Sequence, residues 1–109
     1  MKASERAAYR ELTLALIERS GGVCERCRNA RGESVHHRKL RSRGGQHTED
    51  NCVWLCGDGT RMGTCHAWAH AHPAEATASG WMVPSWQDPA DVVPAPLDEP
   101  RHETAWDTP

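Results

Sequence analysis

Residues 34–45 read SVHHRKLRSRGG. A short apolar-polar alternation leads into two adjacent histidines, and a basic loop ending in Gly44-Gly45 follows. The alternation predicts a strand over residues 33–39. Neighbours on a strand point to opposite faces. His36 and His37 therefore face different surroundings, so the pair divides two tasks or one of them is incidental.

The chain around this stretch has 109 residues, room for one small domain. Only 38% of it is apolar and it has no Phe. Domains this small often need a disulfide or metal staple. Five Cys and seven His supply the material. An odd number of Cys fits a disulfide framework poorly. No signal-peptide pattern and no apolar run of membrane-spanning length is present. Cys used for metal in a reducing, cytoplasmic setting, with no membrane partner, is the expectation.

The net charge of −2 hides an asymmetry. Residues 1–50 carry 11 Lys/Arg against 7 Asp/Glu, and residues 51–109 carry 2 against 8. Between Arg26 and Arg43 there are seven basic residues and one acid, Glu33. Such a local field suits a polyanion partner, and a solvated Arg-rich loop would read the same way.

Outward from the histidines, residues 4–19 read as a helix. Ser4 is the expected N-cap, Ala8, Leu12, Leu16, Tyr9 and Ile17 form the expected buried face, and Gly21-Gly22 ends it. Cys24-x2-Cys27 makes a tight knuckle. Residues 40–50 form a long loop, 52–55 (CVWL) a short strand and 57–64 a glycine-rich loop. Thr64 caps a helix over 65–71. Pro73 breaks it at His72 and starts a second short helix that Gly80 closes. Residues 81–86 suggest a further short strand. Six of the seven prolines follow residue 83, and with the acids of 88–109 they predict an extended or disordered tail.

Cys24, Cys27, Cys56 and Cys65 make two pairs, a donor set that suits tetrahedral structural zinc. Bound zinc can add roughly 10–16 kcal/mol to folding at neutral pH. Eight residues separate Cys56 from Cys65, where two is usual, so this pair also reads as buried thiols. Cys52 reads as a small core residue, with replacement of Cys56 as ligand the alternative.

His66 and His70 are i and i+4 on the predicted helix, which sets both imidazoles within reach of one ion. A strand ligand, His36 or His37, would complete a set with open positions, which catalysis needs. His47 reads as a solvated loop residue, His72 as a turn residue and His102 as part of the tail. Trp54, Trp68 and Trp81 read as core. Trp106 is an unexplained aromatic in the tail, a candidate docking anchor.

His36-His37, Arg43-Gly44-Gly45, Asp50-Asn51, Leu55-Cys56 and Cys65-His66 together resemble the HNH endonuclease pattern, the ββα-metal nuclease fold, over about residues 23–72. The segment 65–86, CHAWAHAHPAEATASGWMVPSW, further resembles small HNH proteins encoded by actinobacterial phages. The resemblance implies a small α+β fold with a zinc knuckle. Residues 1–22 would form an N-terminal helix, 23–87 the nuclease domain and 88–109 a flexible tail. It implies that His36, His66 and His70 bind a catalytic divalent metal (Mg²⁺, Mn²⁺, Ni²⁺ or Zn²⁺), with zinc on the four Cys. His37 would be the general base, and Asn51 would brace the loop and orient it. Arg38, Lys39, Arg41 and Arg43 would hold the DNA backbone, a sequence-independent contact. The implied activity is metal-dependent DNA phosphodiester hydrolysis, with phage packaging proteins such as terminase as implied partners. The reading from another class is a zinc-stabilised nucleic-acid or protein binding module without catalysis, which has no use for His37 and Asn51 together with His66.

Overall fold

In a computed structural model of the chain, the structure describes residues 2–97. The expectations for His102 and Trp106 lie outside these residues. Helix α1 spans Ala3–Ser20 and begins earlier than expected, with Lys2 rather than Ser4 at the N-cap position. At its other end Gly21 adopts a left-handed φ of 69° and its N–H reaches Ile17 O, a conformation glycine takes without strain. Leu12 and Leu16 are buried and Tyr9 is half-buried, whereas Ala8 is exposed and not part of the buried face.

Strands β1 (Ser34–His37) and β2 (Cys52–Leu55) pair antiparallel. The register sets Val35 opposite Trp54 and His37 opposite Cys52, with His36 opposite Val53. Opposed residues share a face, so the two-stranded sheet has two distinct sides. Val35, Cys52 and Trp54 meet Leu12, Leu16 and Tyr9 of α1. Val53 and Leu55 meet the cysteine cluster, Ala69, Trp81 and Met82 on the opposite side. CVWL is apolar throughout because both of its faces are covered.

Helices α2 (Cys65–Ala71) and α3 (Pro73–Ala78) follow, broken at His72 as the proline requires. Residues 81–86 form no strand, against expectation. The N–H groups of Trp81 and Met82 both turn back to Ala76 O, which closes α3 and leaves them unavailable to a sheet.

Two further expectations are corrected together. Residues 88–97 are not a free tail. Ala95 N–H bonds Ser79 O at 2.9 Å, Leu97 N–H bonds Arg26 O at 2.9 Å, and Trp81 Nε1–H bonds Ala95 O at 2.8 Å. Arg38, expected on DNA, is the residue that gathers this segment. It is 3% exposed. Its guanidinium donates to Gly80 O at 3.0 Å, Val92 O at 2.7 Å, Pro89 O at 3.0 Å and also to Asp50 O. A guanidinium offers five donors in a rigid fork, and four are spent on backbone carbonyls from three segments. That side chain is not free to meet a phosphate.

Arg38→Ala is therefore expected to cost about 2–4 kcal/mol of stability, since it strips several charge-assisted bonds at once. Urea denaturation reads this, and hydrogen exchange should show residues 88–97 deprotected. Wild-type stability in the variant would refute the role.

A candidate metal and catalytic centre

The four cysteines converge. Their Sγ atoms all lie within 4.8 Å of one another, and all four residues are buried. Zn–S bonds of ~2.3 Å in a tetrahedron set sulfurs about 3.8 Å apart, so the set fits zinc. Two donors point at the sulfurs: Cys65 N–H lies 3.2 Å from Cys56 Sγ, and Arg26 Nη1 lies 3.3 Å from Cys65 Sγ. Arg26 is itself held flat over Trp68, 3.6 Å from the ring centroid. Hydrogen bonds from Cys56 and Cys65 hold the Cys24 thiol well below its usual range. The same contact with Cys24 pushes Cys56 up to about 11. Four thiolates cannot coexist here without a cation to neutralise them.

The long Cys56–Cys65 connection is compatible with this because it is stapled internally. Glu33 accepts from Gly57 N–H at 2.9 Å and pairs with Arg61 at 2.6 Å. Asp58 accepts from Thr60 N–H at 3.0 Å and from its hydroxyl at 2.7 Å. The loop bulges outward and returns Cys65 to Cys56. Cys52 lies in the other core with Leu12 and Leu16, and burial pushes its thiol up to about 11. It is not a ligand of this cluster.

His36, His66 and His70 form the second donor cluster, with one ring nitrogen from each within 4.8 Å of the others. His36 Nε2 bonds Trp81 O at 2.7 Å. A carbonyl only accepts, so Nε2 carries the proton and Nδ1 is a lone pair. That Nδ1 is buried with no partner. The Ser34 hydroxyl donates its one proton to Gly57 O, so its oxygen accepts from His66 Nδ1–H at 2.6 Å. His66 Nε2 is then also a lone pair. Ring partners that fix tautomers in this way are typical of imidazole metal ligands, and an orphaned buried lone pair is accounted for by an ion. The donor set fits a borderline divalent metal. Burial, reinforced by the neighbouring imidazoles, pushes His36 down to about 3, and burial lowers His66 as well. Both are held in the neutral form that binds metal.

His37 leaves the other face of β1. The two faces meet at the strand end, where His36, His37, His66 and His70 line one open cavity of about 320 Å³ with Arg41 and Ser42. Burial, then His47 and Arg41, push His37 down to about 4. Asn51, 1% exposed, closes the loop that follows. Its Oδ1 accepts from Lys39 N–H at 2.7 Å, and its Nδ2 donates to Lys39 O and Gln46 O at 3.0 Å each. The side-chain amide thus continues the strand pairing past β1. Gly45 permits the tight return, since a Cβ there would sit 1.7 Å from Lys39 O.

The expected basic grip divides. Arg41 borders the imidazole cavity, and its Nη2 lies 3.6 Å from Glu5. Arg43 is exposed, Lys39 lines an adjacent cavity of about 540 Å³ beside Trp86, and Arg38 is buried. Two further residues contribute that the sequence reading does not include in the site, Ser34 and His47. Ser34 was legible, because i and i+2 on a strand share a face and Ser34 lies beside His36 on that face. His47 is not a solvated loop residue: its Nδ1 lies 2.9 Å from His37 Nε2 and its ring packs on Tyr9. No sequence pattern points to it, since the loop closure made by Asn51 brings it there.

Residues 24–71 match the HNH endonuclease family. No curated protein and no solved structure matches the chain. The matched segment holds the knuckle, both strands and α2, and so both donor clusters. It implies a nuclease-type function on nucleic acid with a divalent metal. Among the described residues no helix is long and apolar enough to cross a membrane.

Cys24→Ser should lower both bound zinc, measured by elemental analysis, and thermal stability. Purified wild-type protein that folds without zinc would refute the knuckle. A pH effect is also expected when the imidazole site is free of metal. The unfolded chain takes up a proton at His36 near pH 6.5, and the folded protein refuses it until about 3. Stability is thus complete above about 6.5 and is lost as pH falls, by about 1.4 kcal/mol per unit for this group. Urea titrations of wild type and His36→Gln between about pH 4.5 and 6 should differ by about that slope.

Proposed function

We propose that the chain, which carries the HNH endonuclease pattern over residues 24–71, is a metal-dependent DNA endonuclease with His37 as general base. The observation that carries this reading is the convergence of His37 and the three-imidazole set on one open cavity. A binding module gains nothing from a neutral, half-buried imidazole beside an empty-sided donor cluster.

The roles follow from chemistry. His36 Nδ1, His66 Nε2 and His70 would hold the divalent ion. When bound, that ion supplies neutralisation of the phosphate and stabilisation of the leaving oxygen. His37, neutral at physiological pH, accepts the proton of the attacking water. Arg41 at the cavity edge meets the phosphate, and Lys39 and Arg43 extend a salt-sensitive grip along the backbone. Asn51 fixes the loop between these groups and adds no charge. The resemblance of residues 65–86 to small phage HNH proteins supports a place beside terminase in phage genome packaging, within the host cytoplasm.

His37→Ala should reduce nicking of supercoiled plasmid in Mg²⁺ or Mn²⁺ by about 10²–10⁴-fold. Zinc content and DNA affinity should be unchanged. Undiminished cleavage would favour the non-catalytic binding module or a different base.

A further inference from the structure

We infer that His47 is a positioning residue that sets the tautomer of His37, and that Tyr9 on α1 holds it in place. This rests on the reading of His37 as the base. His37 Nε2 and His47 Nδ1 are 2.9 Å apart, with ring centroids 5.0 Å apart. A contact between ring nitrogens at that distance holds one proton, on one ring or the other. If it sits on His47 Nδ1, His37 keeps its own proton on Nδ1 and has no free lone pair. If it sits on His37 Nε2, then His37 Nδ1 is a lone pair able to take a proton from water. Only the second arrangement supports general base catalysis.

The same bond also discriminates between ground and transition states. As His37 gains a proton at Nδ1, its Nε2–H becomes part of a cation. The bond to His47 is then charge-assisted and roughly twice as strong. An interaction that strengthens only as the reaction proceeds raises kcat rather than lowering KM.

His47 bears a cost for its position. Its Nε2 is buried with no hydrogen-bond partner. A loop histidine with no task would turn that nitrogen to water. Instead the Tyr9 ring packs against it, centroids 5.4 Å apart at 57°. Tyr9 lies outside the segment that matches the HNH family, so a helix beyond the pattern completes the site.

The test combines kinetics with ¹⁵N NMR of the full-length protein. In wild type, His37 should be protonated at Nε2 and bare at Nδ1. His47→Leu should lower kcat for plasmid nicking about 10- to 100-fold, less than loss of the base, with KM, metal content and DNA affinity unchanged. His47→Asn should restore most of the rate, because its Oδ1 can accept the same proton. Tyr9→Phe should match wild type, since the ring remains. A wild-type kcat in His47→Leu, or an Asn variant as slow as the Leu variant, would each overturn the inference while leaving the nuclease reading intact, whereas an Nδ1–H tautomer in wild-type His37 would overturn the inference and the assignment of His37 as the base together. Full cleavage by His37→Ala would overturn both. If His47→Leu fails to fold, the Asn variant and the wild-type tautomer decide.

Discussion

The thiol cluster is the constraint on which the site depends. Helix α2 has seven residues and would not persist alone in water. It is held because its first residue, Cys65, shares a cluster with Cys56 at the end of β2 and with the Cys24–Cys27 knuckle. His66 follows Cys65 directly, and His70 lies one turn on. Fixing one sulfur therefore fixes the position of two imidazoles relative to His36 on β1. The outer staples at Glu33 and Asp58 let a nine-residue step from Cys56 to Cys65 serve as well as a short one.

The second constraint is the period of a strand. One peptide step rotates a side chain to the opposite face, so adjacent histidines enter two chemically different spaces. His36 joins the core built by the cysteines, Trp81 and α2, where burial keeps it neutral and Trp81 O fixes its tautomer. His37 joins the side covered by α1, where His47 and Tyr9 stand. The strand ends there, and the two spaces open onto one cavity. That cavity is lined by four imidazoles and bordered by Arg41.

What could be read from the sequence divides along the range of the interaction. The helices, the break at His72 and both strands follow from local pattern and from proline's missing N–H. The donor clusters are suggested by spacing, and the folded chain brings those Cys and His side chains together. Arg38 was misread because charge alone says nothing about whether four carbonyls from distant segments will surround a guanidinium. Residues 88–97 were misread for the same reason: their composition is that of a tail, but Arg38, Ser79, Trp81 and Arg26 supply partners that composition does not reveal. His47 belongs with these, since its place depends on where Asn51 closes the loop.

These long-range contacts also explain why the matched segment is not the whole working unit. Between them, residues 24–71 supply both donor clusters and His37, but their sheet has two apolar faces to cover and a domain of that length cannot cover both. Leu12, Leu16 and Tyr9 close one side, while Trp81 and Met82 complete the other. Each cover reaches past packing into chemistry. Trp81 O dictates which nitrogen of His36 is left as a lone pair, and Tyr9 backs the imidazole that contacts His37. The flanks that the small core needs for stability are thus the same elements that orient the imidazoles at its centre, so packing and the geometry of the donor cluster are set by one group of contacts.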